Sequence, residues 1–281
     1  MNAAEMHNRL SAGRCWLWCC CLLLAACGHI PETHNPRREQ AAELNLQARD
    51  AYRHGEYRSA LRLYQSSLGL DQSIENADGI AINLVSLARV CQVLGRDAEA
   101  GRYLDRVLQE RALKFAPQYM ASAAAEKAVL KLREGNAADA AHWVEQAQRY
   151  CGSACDVAGN LANLRANIAL NSGQPERAVY WGERAISANQ GRESSAYANA
   201  LRLTAQARML KGEFDVAARL LGNALAVDKS LGLPPKIRLD LSLLARAYGE
   251  MGKQDLSRQY AERAGKIFEG SGMPDQTGEM P

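Results

Sequence analysis

Six glycines, Gly55, Gly95, Gly135, Gly173, Gly212 and Gly252, recur along the chain at spacings of 40, 40, 38, 39 and 40 residues. An alanine stands seven residues before each: Ala48, Ala88, Ala128, Ala166, Ala205 and Ala245. Five residues after come Ala60, Ala100, Ala140, Ala178 and Ala217, with Ser257 in the last unit. Seven further on stand Ser67, Val107, Ala147, Ala185, Ala224 and Ala264. A fixed period of this length marks a stacked repeat, in which each unit covers its apolar face with its neighbours.

The register is that of a helical hairpin. Glycine takes the left-handed conformation that ends one helix, and small residues on either side let two helices approach closely. On a first helix, Leu84, Leu87, Ala88 and Cys91 fall at offsets of three and four. On a second helix Ala217, Leu220, Leu221, Ala224 and Leu225 do the same, the spacing of an amphipathic helix. First helices are expected near 41–54, 78–94, 117–134, 156–172, 194–211 and 236–251, each followed after its glycine by a second, which makes twelve. With 47% apolar and 23% charged residues the chain has ample material for a core, so a folded array and not a disordered one is expected.

The segment Gly55-Glu56-Tyr57-Arg58-Ser59-Ala60, with Tyr64 and Leu68, resembles a tetratricopeptide repeat. Gly212-Glu213-Phe214-Asp215-Val216-Ala217, with Ala224 and Leu225, is a second clear copy. Gly95 to Ala100 and Gly173 to Ala178 follow the outline more loosely, and the third and sixth units are recognised by register. The resemblance covers residues 41–270 and implies an all-α fold, a right-handed α-solenoid of six hairpins. A period near 40, where the family's is about 34, requires longer helices or wider connections. A solenoid of HEAT type is the alternative array.

Ahead of the repeat, residues 1–14 are polar and carry Arg9 and Arg14, residues 15–24 are apolar, and small residues precede Cys27. That is the order of a secretory signal, and the run Cys15 to Cys27 is 13 residues long, short of the roughly 20 that cross a bilayer. Leu24-Ala25-Ala26-Cys27-Gly28 resembles the lipobox of bacterial lipoproteins. The resemblance implies cleavage of a signal peptide, residues 1–26, and acylation of Cys27, palmitate included. An ordinary signal peptide cut elsewhere, with Cys27 incidental, is the other reading. More than one acyl chain is what stable anchoring needs. Gly28, where inner-membrane relatives often carry Asp, implies the outer membrane, facing the periplasm. Residues 27–40, with Pro31 and Pro36, read as the lipidated start and a tether, 41–270 as the repeat domain, and 271–281 as a frayed tail. Without residues 1–26 the chain holds 32 basic and 30 acidic residues, a balance that argues against nucleic acid as the partner.

Catalytic chemistry is not expected. His29, His34, His54 and His142 are scattered, no glycine loop suits a phosphate, and no cofactor or metal site follows from the residue spacing. Cys151-Gly152-Ser153-Ala154-Cys155 lies where the chain must turn between units. Its cysteines read as a local disulfide, as two free thiols, or as a redox or metal pair. Cys91 reads as a buried apolar residue.

The tetratricopeptide resemblance implies that partners bind as extended peptides or helices on a concave wall lined by the first helices. In unit four Asn160, Asn163, Asn167 and Asn171 recur at steps of three, four and four, one face of one helix. Each amide supplies a donor and an acceptor for a peptide backbone. Asn199, Arg202 and Gln206 take the matching face in unit five, and Arg49, Arg89 and Arg246 in units one, two and six. A merely solvated helix face is the bland alternative. The layout is similar to that of type IV pilus biogenesis lipoproteins that help a secretin ring assemble, which implies a protein-binding adaptor. Other readings are an adaptor for peptidoglycan-remodelling enzymes or outer-membrane protein insertion, a sensor of a small peptide, and a thiol-dependent redox protein using Cys151 and Cys155.

Overall fold

The computed structural model describes residues 35–110, 112–152, 158–191 and 194–270. They form twelve helices and, among the described residues, no strand. The first hairpin is α1 (Pro36–Arg53) and α2 (Tyr57–Ser73), the second α3 (Ala77–Val93) and α4 (Asp97–Gln109), the third α5 (Pro117–Arg133) and α6 (Ala137–Cys151). The fourth is α7 (Ala158–Asn171) and α8 (Pro175–Asn189), the fifth α9 (Ser195–Leu210) and α10 (Phe214–Ser230), the sixth α11 (Pro234–Glu250) and α12 (Gln254–Gly270). Residues 1–34, with Cys27, its lipobox and most of the tether, lie outside the described residues, as do Cys155 and the tail 271–281.

One cap is used six times. Each turn glycine has φ between 65° and 86°, and the amide after it donates to a carbonyl five residues back. Glu56 N reaches Ala51 O at 2.8 Å, and the other five hairpins repeat the bond at 2.8 or 2.9 Å. This Schellman closure satisfies carbonyls that the helix end would leave orphaned. The recurring glycine is therefore a geometric requirement, because a Cβ is strained at that φ.

The alanine registers are the contact surface between helices. Ala48, Ala88, Ala128, Ala166 and Ala205 are fully excluded from solvent, as are Ala60, Ala100, Ala140, Ala178 and Ala217. Leu84, Leu104, Leu161, Leu221 and Leu241 fill the spaces these small residues leave, none more than 1% exposed, each burial contributing about 1.5–3 kcal/mol. Successive hairpins pack through the second helix of one on the first of the next, and first helices also touch one another. The result is an all-α solenoid whose core is a succession of buried clusters. Buried apolar residues run from Ala41 to Ala264, inside the compact unit Arg37–Pro281, which holds its own core.

The long period resides mostly in the helices. α2 and α3 are 17 residues each with only 74–76 between them, and α10 and α11, also 17 each, are separated by 231–233. The 13-residue α4 is followed by a longer connection, 110–116. α1 starts at Pro36, earlier than the boundary at 41, so residues 36–40 are helix and not tether. Proline at a helix start loses no hydrogen bond, and Glu39 in the first turn faces the positive helix end.

Candidate partner-binding wall

The first helices α1, α3, α5, α7, α9 and α11 stand side by side, and polar bonds bridge four of their junctions. Asn45 Nδ2 donates to Asn83 Oδ1 at 2.9 Å, and Arg89 Nε to Glu126 Oε1 at 2.6 Å. Asn163 Nδ2 donates to the Ala196 carbonyl at 2.9 Å, and Arg202 Nε to Asp240 Oδ1 at 2.6 Å.

These bonds divide the expected site residues into two groups. Asn163 and Arg202 are 5% and 3% exposed and lie inside the packing, Asn163 through Nδ2 alone, since its Oδ1 has no hydrogen-bond partner among the described residues, which differs from their reading as groups offered to a ligand. The cause is register. Both stand ten residues before their turn glycine, as does Asn45, and that offset points between neighbouring first helices instead of onto the open face. One helical turn later, Asn167 and Gln206 are half-buried, and Asn199 is too. Asn160, Asn171, Arg49, Arg89 and Arg246 are exposed. Asn171 Nδ2 donates to Asn167 Oδ1 at 3.0 Å and to its carbonyl at 2.9 Å, and Asn199 Oδ1 accepts from Arg202 Nη1 at 3.4 Å. Arg89 is paired with Glu126. Asn160, Gln206, Arg49 and Arg246 make no hydrogen bond or ion pair among the described residues. The same helices expose Leu46 (55%), Ile82 (38%) and Leu210 (58%). Exposed apolar residues thus lie on α1, α3 and α9, and uncommitted donors on α1, α7, α9 and α11.

Two buried polar nodes went unread in the sequence. In the first, Asn83 Nδ2 donates to Asp71 Oδ2 at 2.8 Å and Ser67 Oγ at 2.9 Å, while Asn76 Nδ2 reaches Asp71 Oδ1 at 2.7 Å. Burial pushes the Asp71 carboxyl above its ordinary value, and the two amide donors pull it back. In the second, the Arg202 guanidinium bonds both Asp228 and Asp240, which are 1% and 0% exposed. Burial pushes Asp228 up to about 6, Arg202 opposes the rise, and the Asp240 charge adds to it. Lys236 beside them is lowered, chiefly by burial. The available signal was the position sixteen after the turn glycine, held by Asp71, Arg111, Cys151, Asn189 and Asp228 in the first five units and by Phe268 in the sixth.

Gly79 at the start of α3 packs directly on the first node. A Cβ there would stand 2.3 Å from the Asp71 carboxylate, which its amide donors hold in place. Gly79→Ala is expected to destabilise the fold by about 1–3 kcal/mol although alanine is the better helix former, as a urea titration would read.

Cys151, at the end of α6, is disulfide-bonded, while its expected mate Cys155 lies outside the described residues. Cys91 is fully buried and free, and burial pushes its thiol up to about 11, which leaves almost no reactive thiolate at neutral pH. His54 closes the first turn with Nδ1 2.9 Å from the Asp50 carbonyl, and His142 is exposed on α6. Among the described residues no cluster of three His, Cys, Asp or Glu could hold a metal, and no helix is long and apolar enough to cross a membrane.

Paired antiparallel helices with a shared glycine cap, stacked through small residues, define a solenoid of tetratricopeptide type. No family model and no curated protein matches the sequence. Solved structures match the fold. A signal transduction ATPase with a tetratricopeptide repeat sensor, from Pyrococcus horikoshii, superposes with a TM-score of 0.62 at 13% identity, over 82% of this chain and 35% of that one. A Rap protein complexed with competence and sporulation factor matches at 0.59 and 13%, over 84% and 67%. PilW, a widely conserved type IV pilus biogenesis factor, matches at 0.55 and 15%, over 82% and 94%.

Proposed function

We propose that this chain is a non-catalytic scaffold, held on a bacterial envelope membrane through acylated Cys27, whose first-helix wall carries an extended peptide or helix of a partner protein. The observation that carries this reading is the contrast along the wall. Most of its polar groups are spent within the packing, yet Arg49, Arg246, Asn160 and Gln206 are left uncommitted beside exposed Leu46, Ile82 and Leu210. Exposed apolar points rimmed by unspent donors are what a peptide-binding groove needs. The Rap neighbour, solved with a sporulation factor, supports a peptide-sized occupant. PilW, similar in fold across most of both chains, supports a role in pilus or secretin assembly ahead of peptidoglycan remodelling or outer-membrane protein insertion. In this reading the wall is the concave face, the outer membrane is the site of attachment, and Cys155 is the mate of Cys151.

Capture of the lipidated protein from membranes, followed by mass spectrometry, names the partner. The triple variant Asn160→Ala, Gln206→Ala, Arg246→Ala is then expected to weaken its binding at least about tenfold, since each lost contact is worth about 0.5–1.5 kcal/mol. Helical circular dichroism should not change. Undiminished capture by that variant contradicts the wall reading. Labelled palmitate that enters the wild type and not Cys27→Ser tests the anchor separately.

A further inference from the structure

The outer side of the second helices carries cations that the partner wall does not use. Seven residues after the turn glycine stand Arg62, Arg102, His142, Tyr180, Arg219 and Gln259 in successive units. Eleven after stand Ser66, Arg106, Gln146, Arg184, Asn223 and Arg263, and fourteen after, Arg149 in α6 and Lys266 in α12. At 3.6 residues per turn these three offsets fall within about 60° of one another, across the helix from the buried offsets five and twelve. No Asp or Glu occupies any of the three in any unit. Arg62, Arg102, Arg106, Arg149 and Arg219 are all exposed and make no hydrogen bond or ion pair among the described residues.

Acidic residues flank the stripe, Glu99, Asp139, Glu176, Asp215 and Asp255 three or four residues after the glycine and a second row on its other side. Ten residues after the glycine come Asp105, Glu145, Glu183 and Glu262, which could have neutralised the arginines. Two of these acids are instead held from the first helices, Asp105 by Lys127 at 2.5 Å and Glu183 by Arg208 at 2.6 Å. At the middle of the stripe Tyr180 is 51% exposed, with Arg184 lying over its ring at 5.3 Å and donating to its hydroxyl at 2.8 Å.

We infer that this outer stripe rests on an anionic phospholipid surface. Each hairpin contributes one second helix, so the guanidinium groups recur at fixed offsets from unit to unit, and arginine takes phosphate oxygens in bidentate fashion. Tyr180 adds a ring with an apolar body and a polar tip, the type of side chain that settles among headgroups. The choice of a membrane over a soluble polyanion rests on the proposed acylation of Cys27. Residues 28–35 separate that cysteine from α1, and eight residues span at most about 30 Å, so the solenoid stays close to the bilayer. With the stripe against lipid, the first-helix wall is left open to partners.

The test uses the chain from Gly28 onward, which bears no acyl group and keeps the whole core, with sedimented vesicles of phosphatidylcholine alone or mixed with phosphatidylglycerol. It is expected to bind only the anionic vesicles, and less as salt rises. The variant Arg62→Gln, Arg102→Gln, Arg106→Gln, Arg219→Gln should lose binding by several hundredfold, each cation near the surface being worth about fivefold. Arg49→Gln, Arg246→Gln on the wall should bind as the wild type does. Equal binding to both kinds of vesicle, wild-type binding by the stripe variant, or equal losses in the two variants would overturn the inference. Palmitate labelling of Cys27 in cells is a separate readout, so failure of the anchor and failure of the stripe are told apart.

Discussion

Replacing Arg202 by Met is expected to cost about 3–5 kcal/mol of folding stability, because it strands two carboxylates in the interior with their desolvation uncompensated. Asp228 and Asp240 are 1% and 0% exposed. A surface pair such as Arg258 with Asp255, 74% and 94% exposed, is worth under about 1 kcal/mol. The size of the effect should depend on pH in a direction set by Asp228. Its carboxyl titrates in the folded chain at about 6, above the ordinary 3.8. The folded state therefore holds this proton more tightly than the unfolded chain does. The stability this contributes is fully present below the unfolded value and is lost as pH rises through about 6. Without the guanidinium that pulls it down, the carboxyl rises further still. The deficit of Arg202→Met should thus be largest near neutral pH and shrink in mild acid, as paired urea titrations would show. Adding Asp228→Leu and Asp240→Leu to Arg202→Met should recover most of the loss. A deficit that does not vary with pH would contradict this description of the node.

Leu221→Ala is expected to cost about 2–5 kcal/mol, the range for emptying a fully buried leucine site. Leu221, on α10, is 0% exposed and shares a buried cluster with residues of α9, α11 and α12. In a solenoid each unit contacts only its neighbours, so the loss should stay local. Native-state hydrogen exchange should speed up in α9 to α12 while α1 to α4 keep their protection. A uniform rise along the chain would mean that the array opens as one cooperative block, contrary to the packing.

The repeat was legible in the sequence because its cause is local. A hairpin that closes through a residue at positive φ calls for glycine, and helices in close contact call for alanine, so both recur at fixed offsets. Helix limits followed to within a few residues; α5, expected at 117–134, is Pro117–Arg133. The partition of the polar face was not legible. Asn163 and Asn167 are one turn apart on the same face, yet the first is sealed in the packing and the second is not. Which of them is sealed depends on how the next hairpin leans, a property of the stacking that no single unit's periodicity contains. The Arg202 node was hidden for the same reason, since its carboxylates are 26 and 38 residues away in sequence. A polar residue sixteen after the glycine in four of the six units, Asp71, Arg111, Asn189 and Asp228, was its trace in the sequence. Cys27, with its lipobox, and Cys155 lie outside the described residues, so acylation and the second half of the disulfide rest on motif and spacing.

Site-specific photocrosslinking in living cells tests the scaffold reading most directly. A photoreactive residue placed at Asn160 or Gln206 on the first helices is expected to join covalently to one partner protein. The same residue at Glu145, exposed on the second helix α6, should give none of that product. Adducts of equal yield from Glu145, or their absence from both wall positions while the partner still co-purifies, would place the partner elsewhere and contradict the account.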